Sequence, residues 1–276
     1  TGSGKTAAFG LGLLGRIDPA RVQTQALVLC PTRELADQVG KQLRRLAVGI
    51  PNLKLSILCG GIPLGPQLAS LSHDPHVVVG TPGRIQELLA RKALHVGGVR
   101  TLVLDEADRM LDMGFEEAIR AIAGRLPKDR QGLLFSATFP ESIRTLGKAM
   151  LRDALEISID GGARPASIEQ RFFEADAARR APLLAAVLLH HRPESAVVFF
   201  NTRADTAEVA GSLSHYGVSA LALHGDMEQR DRDEVLVQFA NRSCAVLVAS
   251  DVAARGLDVE DLGAVVNYEL PSDVDT

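Results

Sequence analysis

Short apolar runs of strand length alternate along the chain with longer stretches whose apolar residues recur every three or four positions. Ala26–Cys30, Lys54–Cys59, His76–Val79, Arg100–Leu104 and Gln131–Phe135 predict strands, and Ala7–Leu14, Arg33–Val48 and Glu116–Arg125 predict helices between them. Segments such as ALVLC and TLVLD are apolar on consecutive residues. That is the pattern of strands covered by helices on both faces, so a buried parallel sheet is favoured over a one-sided antiparallel one. The alternation pauses over Ile159–Ile168, where Asp160, Gly161, Gly162, Arg164 and Pro165 are linker chemistry. A second series starts at Glu169, with strands expected at Ala196–Phe200, Ser219–Leu223, Ala245–Ala249 and Ala264–Asn267. Its helices fall near Ala181–His191, Ala204–His215 and Gln229–Ala240. The expected fold class is α/β, with two tandem parallel-sheet domains over residues 1–160 and 169–276, a linker over 161–168 and a cleft between the domains.

The 276-residue length agrees with two domains, at roughly 150 residues each. A chain 46% hydrophobic and 23% charged, with no apolar run near the ~20 residues of a membrane span, excludes membrane insertion and disorder. Thirty-four acidic against thirty basic residues give a net charge of −4. This excludes a protein that holds nucleic acid by bulk positive charge, so any such binding is local. Cys30, Cys59 and Cys244 adjoin apolar runs and form no C-x-x-C pair, so they read as reduced core residues in a cytoplasmic protein. The chain opens at Thr1 without methionine, as a cut fragment would.

Two motifs carry candidate chemistry. Thr1-Gly2-Ser3-Gly4-Lys5-Thr6 is the end of a G-x-x-x-x-G-K-[ST] phosphate loop followed by an apolar helix. Small residues let backbone N–H groups wrap phosphate oxygens, Lys5 can reach the outer phosphates and the Thr6 hydroxyl can ligate Mg²⁺. An ordinary glycine-rich turn would read the same way. The second motif, Asp105-Glu106-Ala107-Asp108, follows the strand Thr101–Leu104 and sets adjacent carboxylates at the ligand-binding edge of a parallel sheet. Asp105 there can hold Mg²⁺ and Glu106 can orient an attacking water. Taken alone, the tetrapeptide reads better as an acidic helix start. The pair within one α/β unit favours phosphoryl transfer over both bland readings.

With these residues the sequence resembles the DEAD-box RNA helicases over nearly its whole length. The resemblance also rests on Pro31-Thr32-Arg33-Glu34-Leu35-Ala36, Gly60-Gly61, Thr81-Pro82-Gly83-Arg84, Ser136-Ala137-Thr138, Phe199–Arg203, Gln229 with Arg232, and Asp251–Asp258, all in the family's order and spacing. Any one of these is compatible with a turn or a cap. Within the family, stretches such as ALVLCPTRELADQV and LHGDMEQRDRD are most similar to a bacterial member that acts in ribosome assembly.

The resemblance implies two RecA-like domains, ATP in the cleft with Mg²⁺, and single-stranded RNA or a short duplex, ribosomal RNA in particular, across the opposite face. It assigns Gly2, Ser3, Gly4, Lys5 and Thr6 to the nucleotide, Asp105 and Thr6 to Mg²⁺, and Glu106 to water activation. Ser136 and Thr138 become coupling residues that bond Asp108, Asp258 a ribose contact and Arg255 part of the interdomain surface. The implied RNA contacts are Thr32, Arg33, Gly61, Thr81, Gly83 and Arg84 on the first domain and Thr202, Gln229, Arg232 and Ser250 on the second. Most are uncharged, so the backbone rather than the base edges would be read, consistent with the net charge of −4. Arg33, Arg84 and Arg232 are alternatively surface ion-pair partners. The resemblance further implies a monomer with both ends truncated. An adenine-reading segment, an arginine-bearing motif, a C-terminal RNA-binding domain and a strand from the middle of the first sheet would be missing. From this, the 276 residues alone are expected to be poorly soluble and silent in hydrolysis. Ser250 stands where family members carry Thr, and Leu257 where they carry Ile; both changes are conservative. Two other readings stay open, namely a phosphate-loop motor on DNA or protein and an ATP-gated RNA clamp that does not unwind. The histidines add nothing: His190 and His191 are adjacent and do not share a helix face, and His224 belongs to a loop.

Overall fold

The computed structural model describes residues 4–158, 169–200, 204–250 and 262–269. The chain divides into two compact units, Thr1–Ile157 and Ser158–Thr276. The first contains α1 (Lys5–Leu14), β1 (Ala26–Leu29), α2 (Arg33–Leu46), β2 (Leu55–Leu58), α3 (Leu64–Ser70) and β3 (Val77–Gly80). It continues with α4 (Pro82–Ala90), β4 (Thr101–Leu104), α5 (Ala107–Asp112), α6 (Glu116–Ala123), β5 (Gln131–Leu134) and α7 (Glu141–Met150).

All five strands pair in parallel in the order β2-β3-β1-β4-β5. Side chains of a strand alternate between faces. Accordingly Leu27, Leu29, Leu102 and Leu104 enter one core with Ile85 and Met110, while Ala26, Val28 and Val103 enter another with Phe9, Leu13 and Leu43. Strands walled on both faces must be apolar throughout, which is why β1, β3 and β4 are buried at every position. Two of the polar side chains left inside, His76 and Gln25, are hydrogen-bonded. His76 Nδ1 accepts from the Lys54 N–H at 2.9 Å, which puts the ring proton on Nε2, 3.2 Å from the Pro19 carbonyl oxygen. Buried Gln25 bonds Asp18 and Arg21 of the same α1–β1 connection.

The second unit contains a 3₁₀ turn (Ala177–Arg179), α8 (Arg180–His191), β6 (Ala196–Phe200), α9 (Ala204–His215), β7 (Ala220–Leu223), α10 (Gln229–Ala240), β8 (Val246–Ser250) and β9 (Ala264–Asn267). Its strands are parallel in the order β7-β8-β6-β9. Val198, Phe200 and Val248 face one core, and Val197, Leu247 and Ala249 the other.

Every strand expected from the apolar runs is present, with its ends shifted by no more than one residue. The helices α3, α4 and α7 were not foreseen, and α5 only through the alternative reading of Asp105–Asp108 as an acidic helix start. Thr81-Pro82-Gly83 reads as a turn, yet Pro82 occupies the first turn of α4, where its missing N–H costs nothing and its fixed φ suits the helix. The expected hole in the middle of the first sheet is not found among the described residues. The five-strand ladder is continuous, and its open edges are β2 and β5. The expected linker over 161–168 lies outside the described residues. No helix among the described residues is long and apolar enough to cross a membrane.

Close strand packing at Gly80 yields a stability test. A methyl there would stand 2.2 Å from the Leu58 carbonyl oxygen of β2 and 2.9 Å from Ile85 Cδ1. Gly80→Ala is expected to destabilise the unit by at least about 2 kcal/mol, read as a lower urea midpoint. Gly40→Ala, whose methyl meets only side-chain atoms, Ile57 Cδ1 at 2.6 Å, Ile57 Cγ1 at 3.0 Å and Leu55 Cδ2 at 3.7 Å, should lower it less.

Candidate active site

Because its strands all run the same way, the first sheet sends every strand-to-helix loop off one edge, the edge at which such folds bind ligands. There Gly4, Lys5 and Thr6 share a cavity of about 410 Å³ with Asp105 and Glu106, walled on another side by Gln38, Gln42 and Arg45 of α2. Gly4 precedes α1 with φ +73, a left-handed conformation that glycine adopts without a Cβ penalty. Lys5 and Thr6 then stand in the first helical turn, whose N–H groups have no intrahelical acceptor.

Asp105 extends the buried β4, and its N–H donates to the Leu29 carbonyl at 3.0 Å. Only 7% of it is exposed. Burial, and then repulsion from Glu106, pushes its carboxyl from the ordinary 3.8 up to about 6, although Lys5 pulls the other way. Glu106 takes φ +53 and ψ 55. This left-handed geometry costs a non-glycine residue about 1–2 kcal/mol. The bend starts α5 and lets the Ala107 N–H reach the Phe135 carbonyl at 3.0 Å, while Glu106 Oε2 lies 3.4 Å from Arg109 Nε.

Asp108 ties the β4 and β5 loops together. Its Oδ2 accepts from the N–H groups of Ala137 (3.1 Å) and Thr138 (3.0 Å) and from Thr138 Oγ1 (3.1 Å). Ser136 Oγ accepts from the Asp108 N–H at 3.3 Å, and the Arg109 N–H donates to Oδ1 at 3.1 Å. Burial acts to raise this carboxyl, but the donors at Thr138, Ser136 and Arg109 prevail and hold it below the ordinary value.

The Thr6 hydroxyl and Asp105 carboxylate are hard oxygen donors in one cavity, suited to a divalent cation. No group of three His, Cys, Asp or Glu forms a metal site among the described residues. A cation here would therefore complete its shell with water and the oxygens of a phosphate ligand. The buried cysteines nearby take no part. Burial, then Asp105, pushes the Cys30 thiol well up, and burial pushes Cys59 up to about 12, so both stay protonated and inert.

Along the same edge, the Thr32 hydroxyl caps α2 by accepting from the Leu35 N–H at 3.3 Å. Arg33 stands 3.9 Å from Asp37, and Arg84 Nε 3.1 Å from Glu87, so the ion-pair reading of these arginines has a footing. Thr81 Oγ1 accepts from the Gly60 N–H at 3.2 Å, Gly61 has φ +77, and Gly83 faces open space. In the second unit Gln229 opens α10 and donates to Asp233 at 3.0 Å, Arg232 lies in the same helix, and buried Ser250 ends β8. Gly2, Ser3, Thr202, Arg255 and Asp258 lie outside the described residues. Gln38, Gln42 and Arg45 were not foreseen, because polar residues on an amphipathic helix look like its solvent face.

These features define a parallel α/β protein with a helix N-terminus and an acidic pair facing one cavity. Residues 1–146 match the DEAD/DEAH box helicase family and residues 179–276 the helicase conserved C-terminal domain. The chain belongs to the DEAD/DEAH box helicase family. It is 56% identical over 273 residues to the ATP-dependent RNA helicase DbpA of Escherichia coli, covering 99% of this chain and 60% of that protein. It is 42% identical over 274 residues to the ATP-dependent RNA helicase CshA of Listeria monocytogenes, of which it covers 52%. Among solved structures, Saccharomyces cerevisiae Dbp5 bound to RNA and ADP BeF3 matches with TM-score 0.86 and 30% identity, over all of this chain and 70% of that one.

The raised carboxyl of Asp105 has a sign that can be checked. Between pH 3.8 and about 6 the folded chain binds the proton that the unfolded chain has lost, so stability falls as pH rises through that window. Above it the cost is complete, at about 3 kcal/mol. Asp105→Asn is expected to raise the urea midpoint of the ligand-free protein at pH 7.5, with the gain fading toward pH 4.

Proposed function

We propose that this chain is the ATP-dependent RNA helicase core of its protein, coupling ATP binding and hydrolysis to RNA binding and local duplex unwinding. The observation that carries the reading is the shared cavity of Lys5, Thr6, Asp105 and Glu106. Lys5 and the first-turn N–H groups of α1 would hold the outer phosphates, and Gly2, Ser3 and Gly4 are assigned to the same nucleotide. Thr6 and Asp105 would hold Mg²⁺, which supplies neutralisation of phosphate charge. Glu106, which lines the cavity beside Asp105, would orient the attacking water and take up its proton. Asp108 with Ser136 and Thr138 would transmit the state of that cavity to the β5 loop, because the same carboxylate bonds both loops.

RNA would contact Thr32, Arg33, Gly61, Thr81, Gly83 and Arg84 and, on the second unit, Thr202, Gln229, Arg232 and Ser250, while Asp258 would contact the ribose of ATP and Arg255 would act in coupling. Backbone groups, hydroxyls and few cations at these positions suit contact with phosphate and sugar. Binding of both ligands more tightly to one conformation than to the other is what would couple them. Ribosomal RNA as the target and the cytoplasm as the setting belong to the same proposal.

The test is phosphate release by the full-length protein that carries this chain, with and without single-stranded RNA, beside Lys5→Ala. RNA is expected to stimulate turnover at least tenfold, on the order of 1.4 kcal/mol of barrier, and Lys5→Ala to be silent. Turnover indifferent to RNA would leave the phosphate site standing and point to another cargo. Turnover with RNA that leaves a short duplex intact would favour the clamp.

A further inference from the structure

The loop between β2 and α3 carries Gly60 and Gly61, and three side chains grip it. Gln67 of α3 is 4% exposed and reaches back to Cys59, its Oε1 accepting from the Cys59 N–H at 3.1 Å and its Nε2 donating to the Cys59 carbonyl at 3.0 Å. The same Nε2 lies 3.4 Å from the Pro63 carbonyl, so one buried amide spans both ends of the loop. Thr81 Oγ1 takes the Gly60 N–H, and Arg84 Nη2 donates to the Ile62 carbonyl at 3.1 Å. Within the clamp, no described residue accepts from the N–H groups of Gly61 and Ile62.

A buried glutamine making two bonds to one residue's backbone acts like an added strand partner. It extends the pairing of β2 past Leu58 and fixes the point at which the chain turns off the sheet. We infer that Gln67, which touches no ligand in the proposed reading, is a positioning residue for RNA. It holds the Gly60–Ile62 backbone in the conformation that offers the Gly61 and Ile62 N–H groups to a phosphate of single-stranded RNA. This rests on the RNA-binding reading above. Without Gln67 the loop must be ordered by the RNA itself, and that ordering cost appears as lost affinity. The nucleotide cavity, lined by α1, α2 and the β4 loop, is untouched.

The experiment measures the affinity of a labelled oligouridylate and, separately, of a fluorescent adenine nucleotide for wild type, Gln67→Leu and Gln67→Glu. Gln67→Leu keeps the volume and loses the bonds, and should weaken RNA about tenfold while leaving nucleotide affinity as it was. Gln67→Glu, when its buried acid is neutral, can still accept from and donate to Cys59. It should bind RNA like wild type at pH 6 and approach Gln67→Leu at pH 8.5, a profile that a loss of packing would not produce. Unchanged RNA affinity in Gln67→Leu overturns the inference, as does an equal fall in RNA and nucleotide affinity. Wild type that fails to hold RNA overturns the RNA-binding reading itself.

Discussion

Everything placed at the site depends on the ladder of parallel backbone hydrogen bonds that runs β2-β3-β1-β4-β5. Buried amides have no water to bond, so once β1 is walled on both faces its N–H and C=O groups must go to β3 and β4. The parallel sense then sends the loops after all five strands off one edge. The acidic pair, the Asp108 tie and the Gly60–Gly61 loop share one edge for that reason, although they are scattered through the sequence.

Two carboxylates three positions apart show how finely the edge divides its environments. Asp105 sits in the sheet, beside a second acid, with few donors, and its proton is held more tightly. Asp108 sits where two loops meet, surrounded by N–H and hydroxyl donors, and its proton is held less tightly. The first is poised to receive positive charge from outside, the second already spends its charge on protein. Opposite shifts in adjacent acids are the usual sign of divided roles. The left-handed Glu106 between them lets both directions be served within one turn of chain.

What the sequence shows of this follows from what periodicity can register. Runs such as VVV and TLVL have no hydrophilic face, so strand positions and the parallel class were legible, as were helices with a strong apolar stripe such as α2. The helix α4 was hidden because Pro82 and Gly83 signal a turn while Pro at a helix start is also favourable. Gln67 was hidden more deeply. One polar residue in LGPQLAS looks like surface until the fold buries it against Cys59. The positive φ of Glu106 left no trace at all, since nothing about glutamate favours it. The site residues were legible chiefly through family motifs. Which motif residues serve as scaffold, as Thr32 does in capping α2 and Arg84 in holding Ile62, took coordinates to see.

The strand order also has a consequence in time. The central strand β1 is made first but pairs only with β3 and β4, and β3 begins about fifty residues later in the chain. At a synthesis rate of roughly 5–20 residues per second, ALVLC spends seconds without the partner that satisfies its backbone. In the second sheet β6 waits about as long, because β8 begins about fifty residues after it and β9 later still. An arrangement that gathers its chemistry on one edge thus leaves its most apolar segments the longest unpaired during synthesis, and such strands are the ones that depend on shielding by chaperones.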